Sequence, residues 1–185
     1  SESVSKLNLV LCGSDDALKA SISDLLLRQR GQRAESSAVC VIRKGDMWGH
    51  LITLVEMPAL YNPDLTEQEV MHQTLHCVSV CDPGVDAFLI IIPEGPFTDE
   101  DKAEMQMIQR LFSSRVNEHT MFIINQQSQR EQSDETLQSV IKTCGGRSEF
   151  YISRTTAAEL ITCVKDLTEE NRNRLYTMDM YCDAQ

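Results

Sequence analysis

The sequence predicts an α/β domain of three layers, α/β/α, with a mostly parallel sheet and one antiparallel edge strand. Three observations carry that expectation. Short apolar runs alternate with longer stretches of helical spacing, as in a sheet covered by helices on both faces. The run Phe88–Ile92 is continuously apolar and rich in β-branched residues, the mark of a central strand buried on both sides. Two further such runs, Val39–Ile42 and Leu51–Val55, are joined by "RKGDMWG", which reads as a hairpin and supplies the antiparallel strand.

The elements follow in order. Leu7–Cys12 is a buried strand ended by Gly13, and Ala17–Arg30 carries Ala17, Leu18, Ile22, Leu25 and Leu26 at helical spacing. Glu67–Val80 is a helix opened by Thr66, with Glu69 three residues on as a capping box, and closed by "DPG" at Asp82–Gly84. "FTDEDKAEMQMIQRLF" is a capped helix with Met105, Ile108, Leu111 and Phe112 on one face. Its Asp99-Glu100-Asp101 cluster suits the positive end of the helix dipole. Met121–Ile124 is a strand, and the polar Asn125–Glu135 is the clearest loop. Glu135–Cys144 is a helix stopped by Gly145-Gly146, Phe150–Ile152 a last strand, and Thr156–Tyr176 a long final helix. The chain reads as one domain over residues 1–185, with a helical C-terminal extension from about 155 to 185.

Composition excludes several classes of partner. The net charge is −11, and Lys and Arg are scattered apart from short groups at Arg28/Arg30/Arg33 and Arg172/Arg174. Nucleic acid and anionic lipid both require clustered positive charge, so neither is expected. The longest fully apolar run, Ala87–Ile92, is far too short to insert in a membrane. Seven cysteines lie mostly within apolar stretches, odd in number and without tight spacing. That argues against a disulfide framework and for a reduced, cytoplasmic setting.

The candidate site is the turn after the first strand. A working phosphate-binding loop reads G-x-x-x-x-G-K-[ST], with backbone N–H groups around the phosphates and a hydroxyl on magnesium. Here the register is Gly13-Ser14-Asp15-Asp16-Ala17-Leu18-Lys19-Ala20. Gly13 and Lys19 remain. Leu18 stands for the second glycine and Ala20 for the hydroxyl, and Ser21 is one position late. A carboxylate at ~4 Å from a phosphate charge costs about 4 kcal/mol at an effective dielectric of 20. Nanomolar binding is worth about 12 kcal/mol in all. Asp15 and Asp16 are therefore hard to reconcile with a bound triphosphate, and are better placed to cap the helix that follows.

The stretch "CDPGVDAFLIIIPEGPFTDEDKAEMQMIQRLF", Cys81–Phe112, resembles a signature of the GIMAP family, the immunity-associated GTPases with an AIG-type G domain. "IKTCGGR", Ile141–Arg147, and "LYTMDMYCDA", Leu175–Ala184, resemble two further family segments. The resemblance covers nearly the whole chain and implies a P-loop GTPase-like fold. It also implies GTP or GDP with magnesium as the family's ligands. Carried onto this sequence, it places Glu56 and Ala59 of "EMPAL" where the family has the aspartate and glycine of its switch II segment. It places Asn125, Ser128 and Gln129 in the base-recognition loop without the guanine-gripping carboxylate. Ser37 is the nearest switch I residue, in poor register, and Tyr151–Ser153 falls in the last base-contacting loop.

Damage at the phosphate, magnesium and base elements together implies a catalytically inactive pseudo-GTPase that needs no cofactor. It would serve as a nucleotide-independent interaction module, with protein partners that are related G domains or a second copy. The alternative is a GTP-binding protein or slow GTPase retaining nucleotide through Gly13 and Lys19. His72 and His76 share a helix face at metal-pair spacing, with Cys77 and Cys81 near by, but Cys77 falls on a different face and structural zinc wants four convergent ligands, so no metal site is expected. Trp48 in the hairpin reads as packing on the sheet edge or as an anchor for a partner.

Overall fold

The computed structural model describes residues 5–28, 40–47, 49–128 and 134–185. Trp48, Ser37 and Gln129 lie outside the described residues. Strands and helices alternate as β1 (Ser5–Cys12), α1 (Asp16–Leu27), β2 (Val41–Met47), β3 (His50–Glu56), α2 (Glu67–Ser79), β4 (Ala87–Ile92), α3 (Asp99–Phe112), β5 (Thr120–Asn125), α4 (Glu135–Thr143), β6 (Ser148–Tyr151), α5 (Ala157–Glu170) and α6 (Met178–Ala184). A 3₁₀ turn over Ser114–His119 links α3 to β5. Among the described residues the sheet order is β2-β3-β1-β4-β5-β6, parallel except for the β2–β3 pairing. This is the expected three-layer α/β/α fold with an antiparallel edge strand.

The period of two along each strand explains the layers. Val10 and Cys12 of β1, Phe88, Ile90 and Ile92 of β4, and Phe122 and Ile124 of β5 face one core with α2, α3, α4 and α6. Leu9 and Leu11, Leu89 and Ile91, and Met121 and Ile123 face the other core, with α1 and α5. Both faces are covered, so the strands read as unbroken apolar runs. The predicted stripe Met105, Ile108, Leu111 and Phe112 is buried in the first core. Phe88, Phe112 and Tyr176 pack edge-on there, with centroids 5.0–5.7 Å apart.

Three expectations are corrected. The hairpin strand runs on through Arg43–Met47, because those residues pair with Leu54 to His50 of β3. The long final helix is broken: α5 ends at Glu170, and Arg172 and Asn173 take left-handed backbone conformations. The chain then turns inward, and Val85 and Tyr176 exchange backbone hydrogen bonds at 2.8 and 2.9 Å before α6 begins. Gly84 permits that approach, since a Cβ there would lie 2.8 Å from the Leu175 Cβ. Finally, Cys40 and Cys77 form a disulfide. Residues 37 apart in sequence meet because the start of β2 lies against α2, which sequence spacing cannot reveal. The other five cysteines are free.

Candidate functional site

Gly13 ends β1 and turns the chain beneath the end of β4. Its φ is +137°, and a Cβ would sit 2.4 Å from the Ile91 carbonyl oxygen, so only glycine fits. The two aspartates that follow do different things. Asp15 is the N-cap of α1, its carboxylate accepting the Leu18 N–H at 3.0 Å. Asp16 is already the first helical residue and does not cap, which corrects the expectation that both do. Its carboxylate instead lies 2.9 Å from the Lys19 ammonium. Ser14 leaves the loop altogether and donates to Asp101 on α3 at 2.7 Å.

Lys19 is the centre of the site and is 1% exposed. Its ammonium donates to the Gly13 carbonyl at 2.6 Å and the Met57 carbonyl at 2.7 Å, with Asp16 as the third partner. An ammonium has three protons, and three acceptors of the chain itself surround this one. Ala20 is buried beside it, Ala17 is exposed and Leu18 half-buried.

The segment Glu56–Leu60 leaves β3 and crosses under the loop. Met57 donates its N–H to Leu11 at 2.9 Å, which anchors the start. Glu104 of α3 secures the end: its two carboxylate oxygens accept the Leu60 and Tyr61 N–H groups, each at 2.8 Å. Glu104 is 3% exposed, and burial raises its pKa. The two amides and Lys19 oppose that rise, and Asp16 adds to it. Glu56 is half-buried at the end of β3, with Oε2 at 3.9 Å from Arg43 on β2, and Ala59 is half-buried in the turn.

At the same edge of the sheet, two strands from β1, Asn125 closes β5 and accepts from the Gln127 side chain at 2.7 Å. The amides of Gln127 and Ser128 both donate to Glu94, at 3.0 and 2.8 Å. These contacts, that of Ser128 first, hold the exposed Glu94 carboxyl below its ordinary range. Gln126 donates to the Tyr151 carbonyl at 2.9 Å, tying this loop to the end of β6.

The structure thus brings together Gly13, Asp16, Lys19 and the Met57 carbonyl, while Asn125 and Ser128 stand at the same C-terminal edge of the sheet, two strands along. Sequence reasoning placed Asp101 only at the helix N-terminus, where it does complete the capping box, and missed Glu104 and Glu94. Asp101 and Glu104 had a signal: they fall at the helical spacing of Met105, Ile108 and Leu111, and a carboxylate on an apolar face needs a partner. Glu94 had none. His72 and His76 are exposed on α2, while Cys77 is consumed by its disulfide. Among the described residues no group of three or more metal-ligating side chains converges.

The profile of the AIG1 family matches residues 7–185. The chain belongs to the AIG1 family. Relatives within reach are distant. Immune-associated nucleotide-binding protein 9 of Arabidopsis thaliana is 19% identical over 100% of this chain and 62% of its own length. GTPase IMAP family member 8 of Mus musculus is 23% identical over 87% of this chain and 26% of its own length. This AIG1 domain therefore spans less than two thirds of either relative. Among solved structures, Toc33 from Arabidopsis thaliana in complex with Mg²⁺ and GMPPNP superposes with a TM-score of 0.67. It is 15% identical, over 93% of this chain and 87% of that one. A dimerization-deficient R130A mutant of Toc33 superposes at 0.68, 14% identical over 92% and 86% of the two chains. At such identities the likeness speaks for the P-loop GTPase fold alone.

Proposed function

We propose that this AIG1 domain is a pseudo-GTPase: a G-domain fold that holds its shape without nucleotide and works as a protein-interaction module. The observation that carries the reading is the satisfied ammonium of Lys19. To take a phosphate, Lys19 must give up two carbonyl bonds and an ion pair inside the protein, and the incoming anion must then sit beside Asp16. Hydrogen bonds to a charged group are worth roughly 1.5–3 kcal/mol each. The ion pair adds little, since Asp16 is nearly half exposed.

Neighbouring groups are also engaged or altered. Ala20 supplies no hydroxyl for a magnesium ion. Glu104 already occupies the Leu60 and Tyr61 amides, and Glu94 occupies those of Gln127 and Ser128. The residues present do not fit a magnesium-bound guanosine triphosphate, and the internal carboxylates make the loops self-sufficient. Partners would be related G domains or a second copy, in line with dimerization in the Toc33 neighbours. We place the domain in the cytoplasm, on the odd number and loose spacing of its cysteines; there the Cys40–Cys77 pair would be held reduced. Among the described residues no helix is long and apolar enough to cross a membrane.

The test is a thermal-shift titration with GTP, GDP and ATP, with and without magnesium. A ligand at ~100 times its dissociation constant stabilises the native state by about 2.7 kcal/mol, a readily visible shift. No shift with any nucleotide is the expected result. A magnesium-dependent shift with GTP overturns the reading and favours a slow GTPase that keeps Gly13 and Lys19 in use.

A further inference from the structure

The two edges of the sheet are not alike. β2 carries Arg43, Lys44, Gly45 and Asp46, the charged and flexible residues that discourage pairing with another chain. β6 is "SEFY", with neither Lys nor Pro, and Phe150 is 51% exposed on it. Among the described residues no strand lies on its outer side.

The register shows which backbone groups are unpaired. β5 bonds β6 through alternate residues: Phe122 donates to the Arg147 carbonyl and Gln126 to the Tyr151 carbonyl, both at 2.9 Å. In a parallel ladder the alternate residues turn their N–H and C=O groups the other way. Ser148 and Phe150 therefore present theirs outward.

The two faces of that edge differ in chemistry. Glu149 pairs with Ile123 and faces α5, where its carboxylate accepts from the Cys163 thiol at 3.4 Å. An open groove of about 660 Å³ runs between β6 and α5, lined by Glu149, Asp166, Glu169 and Glu170, against the single cation Arg147 among its lining residues. Arg147 is itself paired with Glu170 at 3.4 Å. The local field is negative: after burial, Glu149, Asp166 and Glu159 push the Cys163 thiol up to about 11. Phe150 pairs with Ile124 and faces the α4 side, where it is half exposed and apolar.

We propose that the outer edge of β6 docks an extended peptide segment of alternating basic and apolar residues, added as a seventh strand to the sheet. The free groups of Ser148 and Phe150 supply the backbone bonds. A neighbouring strand lies ~4.8 Å away, with side chains alternating between faces. One set of its side chains meets the acidic groove, which selects Lys or Arg, and the other set meets Phe150, which selects an apolar residue. The inference gives the interaction reading a surface and rests on it. It involves no nucleotide, so a positive nucleotide titration would overturn that reading and leave this one to its own test.

The probe is a blocked synthetic peptide of alternating Lys and Val, with a Glu-Val peptide as control, followed by fluorescence anisotropy at low and high salt. The Lys-Val peptide is expected to bind, more weakly at high salt, and the control not to bind. Ser148→Pro removes one outward N–H without touching the β5 ladder and should weaken binding about tenfold at an unchanged melting temperature. If that variant does not fold, the double reversal Asp166→Lys with Glu169→Lys takes its place, and should abolish Lys-Val binding. Equal binding of both peptides, no binding of Lys-Val, or binding undiminished in a folded variant overturns the proposal. So does dimerization of the chain itself through β6, detected by sedimentation and abolished by Ser148→Pro.

Discussion

Glu104 on α3 accepts the main-chain N–H of Leu60 at 2.8 Å with one carboxylate oxygen, and the other oxygen takes the next amide along. A buried acid thus ties the segment after β3 to α3.

Replacing it should be costly. Glu104→Gln keeps one acceptor but turns an NH₂ donor toward the other amide, which leaves that amide unpaired. The expected loss is about 1–3 kcal/mol in urea denaturation. The sign of the pH dependence is also set. Burial raises the folded-state pKa above the ordinary 4.5, so the native state binds the proton more tightly than the unfolded chain. The advantage of the wild type over Glu104→Gln is then fullest below pH 4.5 and shrinks as pH rises through and above it. A difference that grows with pH contradicts the burial argument.

The two loop aspartates should separate cleanly. Asp15→Ala removes an N-cap and should cost about 1 kcal/mol. Asp16→Ala removes only an ion pair whose carboxylate is 46% exposed, for an expected change under about 1 kcal/mol. Denaturation midpoints measured side by side decide this, and a larger loss from Asp16 would mean that it, and not Asp15, organises the loop.

Reduction of Cys40–Cys77 opens a loop of 37 residues. By the chain-entropy estimate the crosslink contributes about 4 kcal/mol. The Cys40→Ser, Cys77→Ser double variant, and the wild type in excess reductant, should both lose stability of that order. Identical denaturation curves with and without reductant would show that the bond adds nothing.

His119 is 1% exposed, and its ring packs against Tyr176, with Asn171 at 3.2 Å. Burial, with Arg174 and Arg147 assisting and Glu118 opposing, holds its pKa below the ordinary 6.5. The unfolded chain then takes up the proton first. Stability from this residue is present above pH 6.5 and is lost as pH falls through that value. A His119→Gln variant should be less sensitive to acid than the wild type across that window. Parallel pH profiles for the two proteins would contradict it.

Much of the fold was legible because both of its periodicities are written locally. The unbroken run Ala87–Ile92 and the stripe through Met105, Ile108, Leu111 and Phe112 report burial directly. The break after Glu170 was not, because α5 has no proline or glycine near its end. What turns the chain there is the buried destination of Tyr176, against Phe88, Phe112 and the backbone of Val85. The site divided in the same way. The altered residues Leu18, Ala20, Asp15 and Asp16 could be read off the loop, but the carboxylates of α3 that bond Leu60 and Ser14 lie 44 and 87 positions away from their partners.

By itself the sequence determined the class of fold, the order of its elements, and a phosphate loop whose chemistry departs from its own pattern. It could do so because hydrophobic period, capping residues and loop composition act over a few neighbours. Only the tertiary structure decided that Lys19 would be surrounded by carbonyls of its own chain, that Glu104 would hold the segment beyond β3, and that Cys40 would meet Cys77. Those are contacts between elements, and their energies depend on which faces the packed sheet and helices bring together.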